Sequence, residues 1–260
     1  MPQYNATGIV LRRIAFGETD NIITLYTRER GRVSAIAKGA RRASSRTSGA
    51  CEILTCARYN LAVGKSLDVV TQAEVKNAFP ALRKDLTRLA SGQYLAELLD
   101  KFVVDEDPHP ELFTLLRASL LLLERMPEPQ TAARWFELRL LDLAGYGPDL
   151  TTCSICGETV PAQGDLPDDE YALSVKQGGA VCPRHVIPHS SDDHAPLSVD
   201  AIDYLQHLNA HTVSQVRAVL AIAPPMPRTA MLARIALRRY IRWRIDSDLR
   251  STVFLDSLNA

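Results

Sequence analysis

The pattern of apolar and polar positions changes character once along the chain, near Pro80. From Thr7 to about Ala78, short β-type runs are broken by turn residues: Gly8-Ile-Val-Leu, Asn21-Ile-Ile-Thr-Leu-Tyr-Thr, Val33-Ser-Ala-Ile-Ala, Tyr59 to Val63 and Leu67 to Ala73. Such runs predict about five strands, with tight hairpins at Arg30-Gly31-Arg32 and Gly64-Lys65-Ser66. A small barrel is the natural closure, because an open sheet of this size leaves edge strands unpaired. After Pro80 the period lengthens to three and four: Leu82, Leu86, Leu89, Tyr94, Leu95, Leu98 and Leu99 mark an amphipathic helix. Further helices are predicted over 111–125 and 130–143, stopped at Gly145 and Gly147-Pro148, then over 198–208, around 213–221 and over 228–245. The expected architecture is α+β and multidomain: a five-stranded barrel over 1–79, a mainly α-helical domain from 80–150 and 195–260, and an insert over 151–194.

Length and composition agree with this picture. A chain of 260 residues with 46% hydrophobic content can bury two or three cores. No apolar run approaches the roughly 20 residues that span a bilayer, so a soluble, cytoplasmic protein without a membrane partner is expected. The formal net charge is zero, yet the charge is segregated. Residues 1–80 carry 12 Lys/Arg against 6 Asp/Glu, and 228–250 carry 7 against 2, whereas 151–200 carry 2 against 8 and 81–150 carry 8 against 12. Basic working surfaces on an acidic scaffold follow from that distribution.

The insert holds the sharpest chemical pattern. Cys153 and Cys156 form a C-x-x-C, and Cys182 and His185 form a C-x-x-H after a gap of 25 residues. Three thiolates and an imidazole on two knuckles suit one tetrahedral Zn²⁺, and Gly157 eases the backbone turn that a first knuckle requires. A redox pair fits less well, because Asp149-Leu-Thr-Thr before it and Gly157 after it read as loop rather than as a strand opening a helix. Disulfides would leave an odd cysteine among the five. The knuckle spacing selects His185 as fourth ligand, with His189 and His194 as neighbouring competitors. Four protein ligands leave no open position for water, so the expected zinc is structural. A zinc deaminase is disfavoured as well, because a shell filled by four protein ligands leaves no position for the water such an enzyme activates.

Elsewhere, Lys38-Gly39-Ala40-Arg41-Arg42-Ala43-Ser44-Ser45-Arg46 places four cations and several small residues between two strands. With Arg12, Arg13, Arg28, Arg30 and Arg32 on the same domain, the loop reads as a phosphate contact for nucleic acid in preference to a merely solvated loop. Tyr4, Tyr26, Tyr59 and Phe16 have faces on which bases stack, but strand alternation places most of them in the core, and stacking is left unassigned. Arginines 234, 238, 239, 242 and 244 gather on one or two faces of the last long helix; a docking stripe and a solvated face fit equally. Gly64-Lys65-Ser66 lacks the glycine a P-loop needs five residues earlier, His207 and His211 read as surface histidines, and Cys51 and Cys56 as inert thiols in a strand region.

The order of Gly8-Ile-Val-Leu-Arg-Arg, Phe16-Gly-Glu-Thr-Asp, Leu25-Tyr-Thr-Arg-Glu-Arg-Gly-Arg, Ala37-Lys-Gly-Ala-Arg-Arg, Tyr94-Leu-Ala-Glu-Leu-Leu, Phe136-Glu-Leu-Arg-Leu-Leu and Gly145-Tyr-Gly-Pro resembles the bacterial recombination mediator and DNA repair family RecO over nearly the whole chain. The resemblance implies an N-terminal OB-fold barrel, a helical domain and a zinc-binding segment, acting without catalytic turnover. It implies binding of single- and double-stranded DNA, annealing of complementary strands, work with RecR and single-strand-binding protein, indirect service to RecA, and a place at the bacterial nucleoid. Lys38, Arg41 and Arg42 match the family's basic loop, and Cys153, Cys156 and Cys182 match its knuckles; His185 stands where many zinc-bearing members have a fourth cysteine. DNA contact is expected at Lys38, Arg41, Arg42, Arg46, Arg12, Arg13 and Arg32. The rival readings are a zinc-stapled adaptor between proteins and a zinc hydrolase. Because the knuckle segment is the most acidic of the chain, its zinc is expected to clip the insert in place and the barrel to carry the work.

Overall fold

The computed structural model describes residues 2–161, 171–187 and 193–258. By contact the chain forms two compact units, residues 1–125 with 249–260 and residues 126–248. This groups the helices differently from the division drawn on sequence pattern, since the first two long helices and the last short one belong with the barrel.

In the first unit, strands β1 (Gln3–Phe16), β2 (Asp20–Thr27), β3 (Gly31–Ala37), β4 (Cys56–Ala62) and β5 (Asp68–Asn77) close into a barrel of order β1-β2-β3-β5-β4. The length of β1 makes closure possible: its first half pairs with β4 and its second half with β2, while a short parallel ladder joins β3 to β5. Val10, Ile23, Leu25, Ala35, Ala57, Tyr59 and Leu61 fill the interior. The expected strand region around Cys51 is instead a 3₁₀ turn, Gly49–Cys51, whose Ala50 and Cys51 plug the barrel. The buried Tyr59 hydroxyl holds it by donating to the Ala50 carbonyl at 2.6 Å.

Helix α1 (Leu86–Phe102) starts later than the Leu82 periodicity predicts, because Asp85 is extended and caps it, accepting from Arg88 N–H at 3.1 Å. Helix α2 is Pro110–Arg125 and α7 is Arg250–Ser257. The α7 start is fixed on α1 by Glu97, which accepts from the Arg250 and Ser251 N–H groups at 2.9 and 2.8 Å. Close approach of α1 to the barrel depends on Gly92, where a Cβ would stand 2.6 Å from Leu54 Cδ1.

The second unit holds α3 (Pro129–Leu143), α4 (Val199–Asn209), the short α5 (Val216–Val219) and α6 (Pro227–Ile245). Pro129 and Pro227 occupy first-turn positions, where their missing N–H has no partner to lose. In α3, Arg134 and Glu137 form a fully buried pair, with Nε to Oε2 at 2.6 Å. A three-stranded sheet of order β7-β6-β8, formed by β6 (Tyr171–Ser174), β7 (Gly179–Val181) and β8 (His194–Leu197), adds elements not predicted from the sequence. Among the described residues, no helix is long and apolar enough to cross a membrane.

Candidate nucleic-acid interface and metal centre

The basic loop leaves β3 at Lys38 and folds back over the β1–β2 hairpin. Gly39 permits the turn with φ +64°. Its N–H donates to Asp20 Oδ1 at 2.8 Å, Arg41 N–H donates to the Thr19 carbonyl at 2.8 Å, and the Arg41 guanidinium reaches the Gly17 carbonyl at 3.2 Å. Donation from Gly39 is the main reason that Asp20 stays ionised below the usual carboxylate range. Main-chain bonds thus tether the loop to the hairpin, while the side chains of Lys38, Arg41, Arg42 and Arg46 are exposed. Arg12, on the adjoining strand, is exposed as well. These five cations are exposed on the loop and the strand beside it, where phosphate groups can reach them.

Other expected contacts are engaged within the protein. Arg13 pairs with Glu52. Arg32 is held on three sides, by Asp105 Oδ1 at 2.6 Å, the Asp100 carbonyl at 3.0 Å and Asp100 Oδ1 at 3.3 Å. It therefore fastens β3 to the end of α1. Arg30 lies 4.3 Å over the Tyr4 ring. Tyr59 is buried in the barrel interior and Tyr26 is buried on its outer face, but Phe16 and Ile14 are 52% and 53% exposed. Exposure at that hairpin was legible only as far as the turn signal Gly17, since alternation alone does not show where a strand leaves the core.

The four knuckle residues converge. Their ligand atoms all lie within 4.8 Å of one another, with Cys156 Sγ to Cys182 Sγ at 3.9 Å, Cys153 Sγ to His185 Nδ1 at 3.9 Å and Cys182 Sγ to His185 Nδ1 at 3.3 Å. Tetrahedral edges around a zinc with ordinary Zn–S and Zn–N bonds are about 3.5–3.8 Å, so the donor set fits a metal ion. The backbone builds the pocket. Gly157 takes φ +76° and donates to the Cys153 carbonyl at 2.8 Å, and Cys153 N–H donates to the Glu158 carbonyl at 2.7 Å. Ser154 N–H bonds the Ala180 carbonyl at 2.9 Å, joining the first knuckle to β7, which delivers Cys182.

Burial works against ionisation of Cys153, but N–H donors from Cys182, Cys156 and Ile155 outweigh it and bring the thiol down to about 6. Cys182 moves the other way, to about 11, through burial and the neighbouring sulfurs of Cys153 and Cys156. One thiolate forms readily and opposes the next, the electrostatic condition that a cation relieves. His194 is engaged elsewhere, its Nδ1 accepting from Ile187 N–H at 3.1 Å, and His189 lies outside the described residues. His185 therefore completes the cluster. By contrast, burial pushes the Cys51 thiol up to about 11 and raises Cys56, which makes both poor nucleophiles.

Several arginines of α6 are engaged within the protein. Arg239 donates to the His194 carbonyl at 2.8 Å, Arg244 to the Val175 carbonyl at 3.3 Å and the Tyr240 hydroxyl at 2.9 Å, and Arg242 pairs with Asp248 at 3.0 Å. Arg239 and Arg244 thus bind the small sheet.

Comparison with known families places both halves of the chain. Residues 1–79 match the family model for the recombination protein O N terminus, and residues 83–252 match that for its C terminus. Curated relatives named "DNA repair protein RecO" include those of Desulforamulus reducens, 32% identical over 99% of this chain and 96% of that protein, and Pelotomaculum thermopropionicum, 36% identical over 98% and 94%. The relative from Symbiobacterium thermophilum is 34% identical over 100% of this chain and 99% of its own length.

Proposed function

This chain belongs to the RecO family of DNA repair proteins, and from that premise we propose that it is a recombination mediator whose barrel binds single- and double-stranded DNA and anneals complementary strands. The observation that carries the reading is the exposed Lys38, Arg41, Arg42 and Arg46 loop, tethered by main-chain bonds to the hairpin beside exposed Arg12. Cations presented on a fixed backbone neutralise phosphates and release condensed counterions. Two strands held on such a surface repel one another less, which lowers the barrier to pairing. No bond in DNA is made or broken in this process, so the chain needs no nucleophile and no nucleotide.

Cys153, Cys156, Cys182 and His185 would hold one structural Zn²⁺. When bound, the ion supplies cross-linking charge and no reaction chemistry, because four protein ligands complete a tetrahedral shell. In the cell the same reading places the protein at the nucleoid, working with RecR and single-strand-binding protein and helping RecA assemble on covered strands.

Annealing of two complementary labelled oligonucleotides, followed by fluorescence transfer, tests the proposal. The unmodified protein should accelerate pairing, and the K38A/R41A/R42A variant should lose most of that acceleration while keeping its thermal unfolding profile. Equal annealing by both proteins would favour the adaptor reading, in which the barrel's charge serves a protein partner.

A further inference from the structure

The outside of the barrel carries an apolar row that the electrostatic account leaves unused. In β1, Val10 points into the core and pairs with Leu25, but the next register pair is Arg12 with Thr24, so Leu11 is bulged out of the ladder. One extra residue reverses the alternation. Without the bulge, Arg12, Ile14 and Phe16 would follow Val10 into the interior; with it they face outward. Register then aligns Ile14 with Ile22, Ile22 with Ile36, and Ile36 with Val69. Residues opposite one another in a ladder share a face, so the four form one continuous row across β1, β2, β3 and β5. None belongs to the buried core cluster, and Ile22, Ile36 and Val69 are each part-exposed.

A water-facing barrel face ordinarily alternates polar residues outward, so β-branched residues in register on that face need a reason. The same outer surface is covered elsewhere. Ile9 and Tyr26, another outward pair, are fully buried, and Tyr26 donates to the His109 carbonyl at 3.2 Å. That cover stops short of Ile14 and Phe16, both about half exposed. The row is flanked by cations on each side: Arg12 two residues before Ile14 on the same strand face, and the loop that begins at Lys38 two residues after Ile36. Phe16 stands at the hairpin tip to which Arg41 is bonded.

We propose that this row, with Phe16 as its aromatic end, is the seat for the bases of an unpaired DNA strand, whose phosphates lie along Arg12 and the Lys38–Arg46 loop. The chemistry of the ligand follows from that of the surface. A single strand is an apolar, stackable edge bordered by regularly spaced anions, and it meets a strip of isoleucines ended by an aromatic ring and bordered by cations. A duplex keeps its base faces stacked and offers only the anionic part. The inference rests on the strand-binding reading above and adds a base-dependent part to it, one that favours unpaired DNA and frees base edges on one side for a complementary strand.

The test compares a thymidine homopolymer with an abasic strand of equal length, across a salt series, for the unmodified protein, Phe16→Ala and Phe16→Trp. Because Phe16 sits at an exposed hairpin tip, neither substitution removes core packing. Phe16→Ala should weaken thymidine binding about tenfold, with an unchanged salt slope and unchanged abasic binding. Phe16→Trp should restore affinity, and its added tryptophan emission should be quenched by thymidine but not by the abasic strand. Thymidine binding unaltered in Phe16→Ala, or lost equally with the abasic strand, overturns the inference and leaves the row as a surface for a protein partner. If the unmodified protein binds neither strand at low salt, the strand-binding reading falls with it, an outcome distinct from loss of base dependence alone.

Discussion

Arg32 shows how charge in a sequence differs from charge available to a ligand. On the sequence it is one of several arginines in a basic block; in the fold its guanidinium is surrounded by Asp100 and Asp105, 68 and 73 residues away. No local pattern announces partners at that separation. Lys38, Arg41, Arg42 and Arg46 were legible because glycine and small residues around them exclude a core position, and the loop's exposure followed from composition. Arg32→Ala is accordingly predicted to lower stability by about 1 kcal/mol, mainly through the part-buried hydrogen bonds to Asp100, and to leave the salt dependence of DNA binding unchanged. Chemical denaturation and a binding titration on the same variant check both halves. Phe16 shows where alternation stops being informative: the rule places most of the aromatics in the core, and a single bulge at Leu11 turns this one outward.

At the scale of elements, long periodic segments were readable and short ones were not. Helices α2, α3, α4 and α6 lie within a few residues of their predicted bounds, because each repeats an apolar stripe over several turns. Strands β6, β7 and β8 have only 4, 3 and 4 residues, too few for alternation to register, so the insert read as ligands without a scaffold. The metal pattern nevertheless located the cluster, because ligand spacing on a knuckle is local. Removing a bound ion with a chelator should destabilise 126–248 selectively, seen as increased amide exchange in β6, β7 and the knuckles while barrel amides stay protected.

A pH effect belongs to the same element. Cys153 ionises at about 6 in the folded, metal-free chain against an ordinary value of 9.0. Between those values the unfolded chain binds the extra proton, so the thiolate's stabilisation is complete above 9, and is lost as pH falls through about 6. Metal-free protein should therefore melt at a lower temperature at pH 6 than at pH 8 by a margin that Cys153→Ser reduces. An unchanged margin in that variant would assign the dependence to other groups.

For the whole molecule, zero net charge conceals a division of labour. The barrel segment, residues 1–80, carries twice as many Lys/Arg as Asp/Glu, and the metal segment, 151–200, carries four times as many acids as bases. A cationic surface attracts phosphate and an acidic segment repels it, which is the physical ground for proposing the barrel as the DNA contact and the metal cluster as a structural clip. The barrel's closure came from the strand count and the need to cover edges, and the cation loop from composition; the pairing order, with its parallel ladder between β3 and β5, is not written in any strand's own pattern. The grouping of α1, α2 and α7 with the barrel needed coordinates, because nothing in a helix's periodicity names the surface it packs on.

The central claim, that a fixed cationic loop on the barrel binds DNA through its phosphates, is tested most directly by the salt dependence of single-strand affinity. For the unmodified protein, log K should fall steeply and linearly with log salt, and K38A/R41A/R42A should flatten the slope by about 2, the loss of three phosphate contacts at roughly 0.7 each on a single strand. Binding that is absent at low salt, or a slope identical in the two proteins, would contradict it.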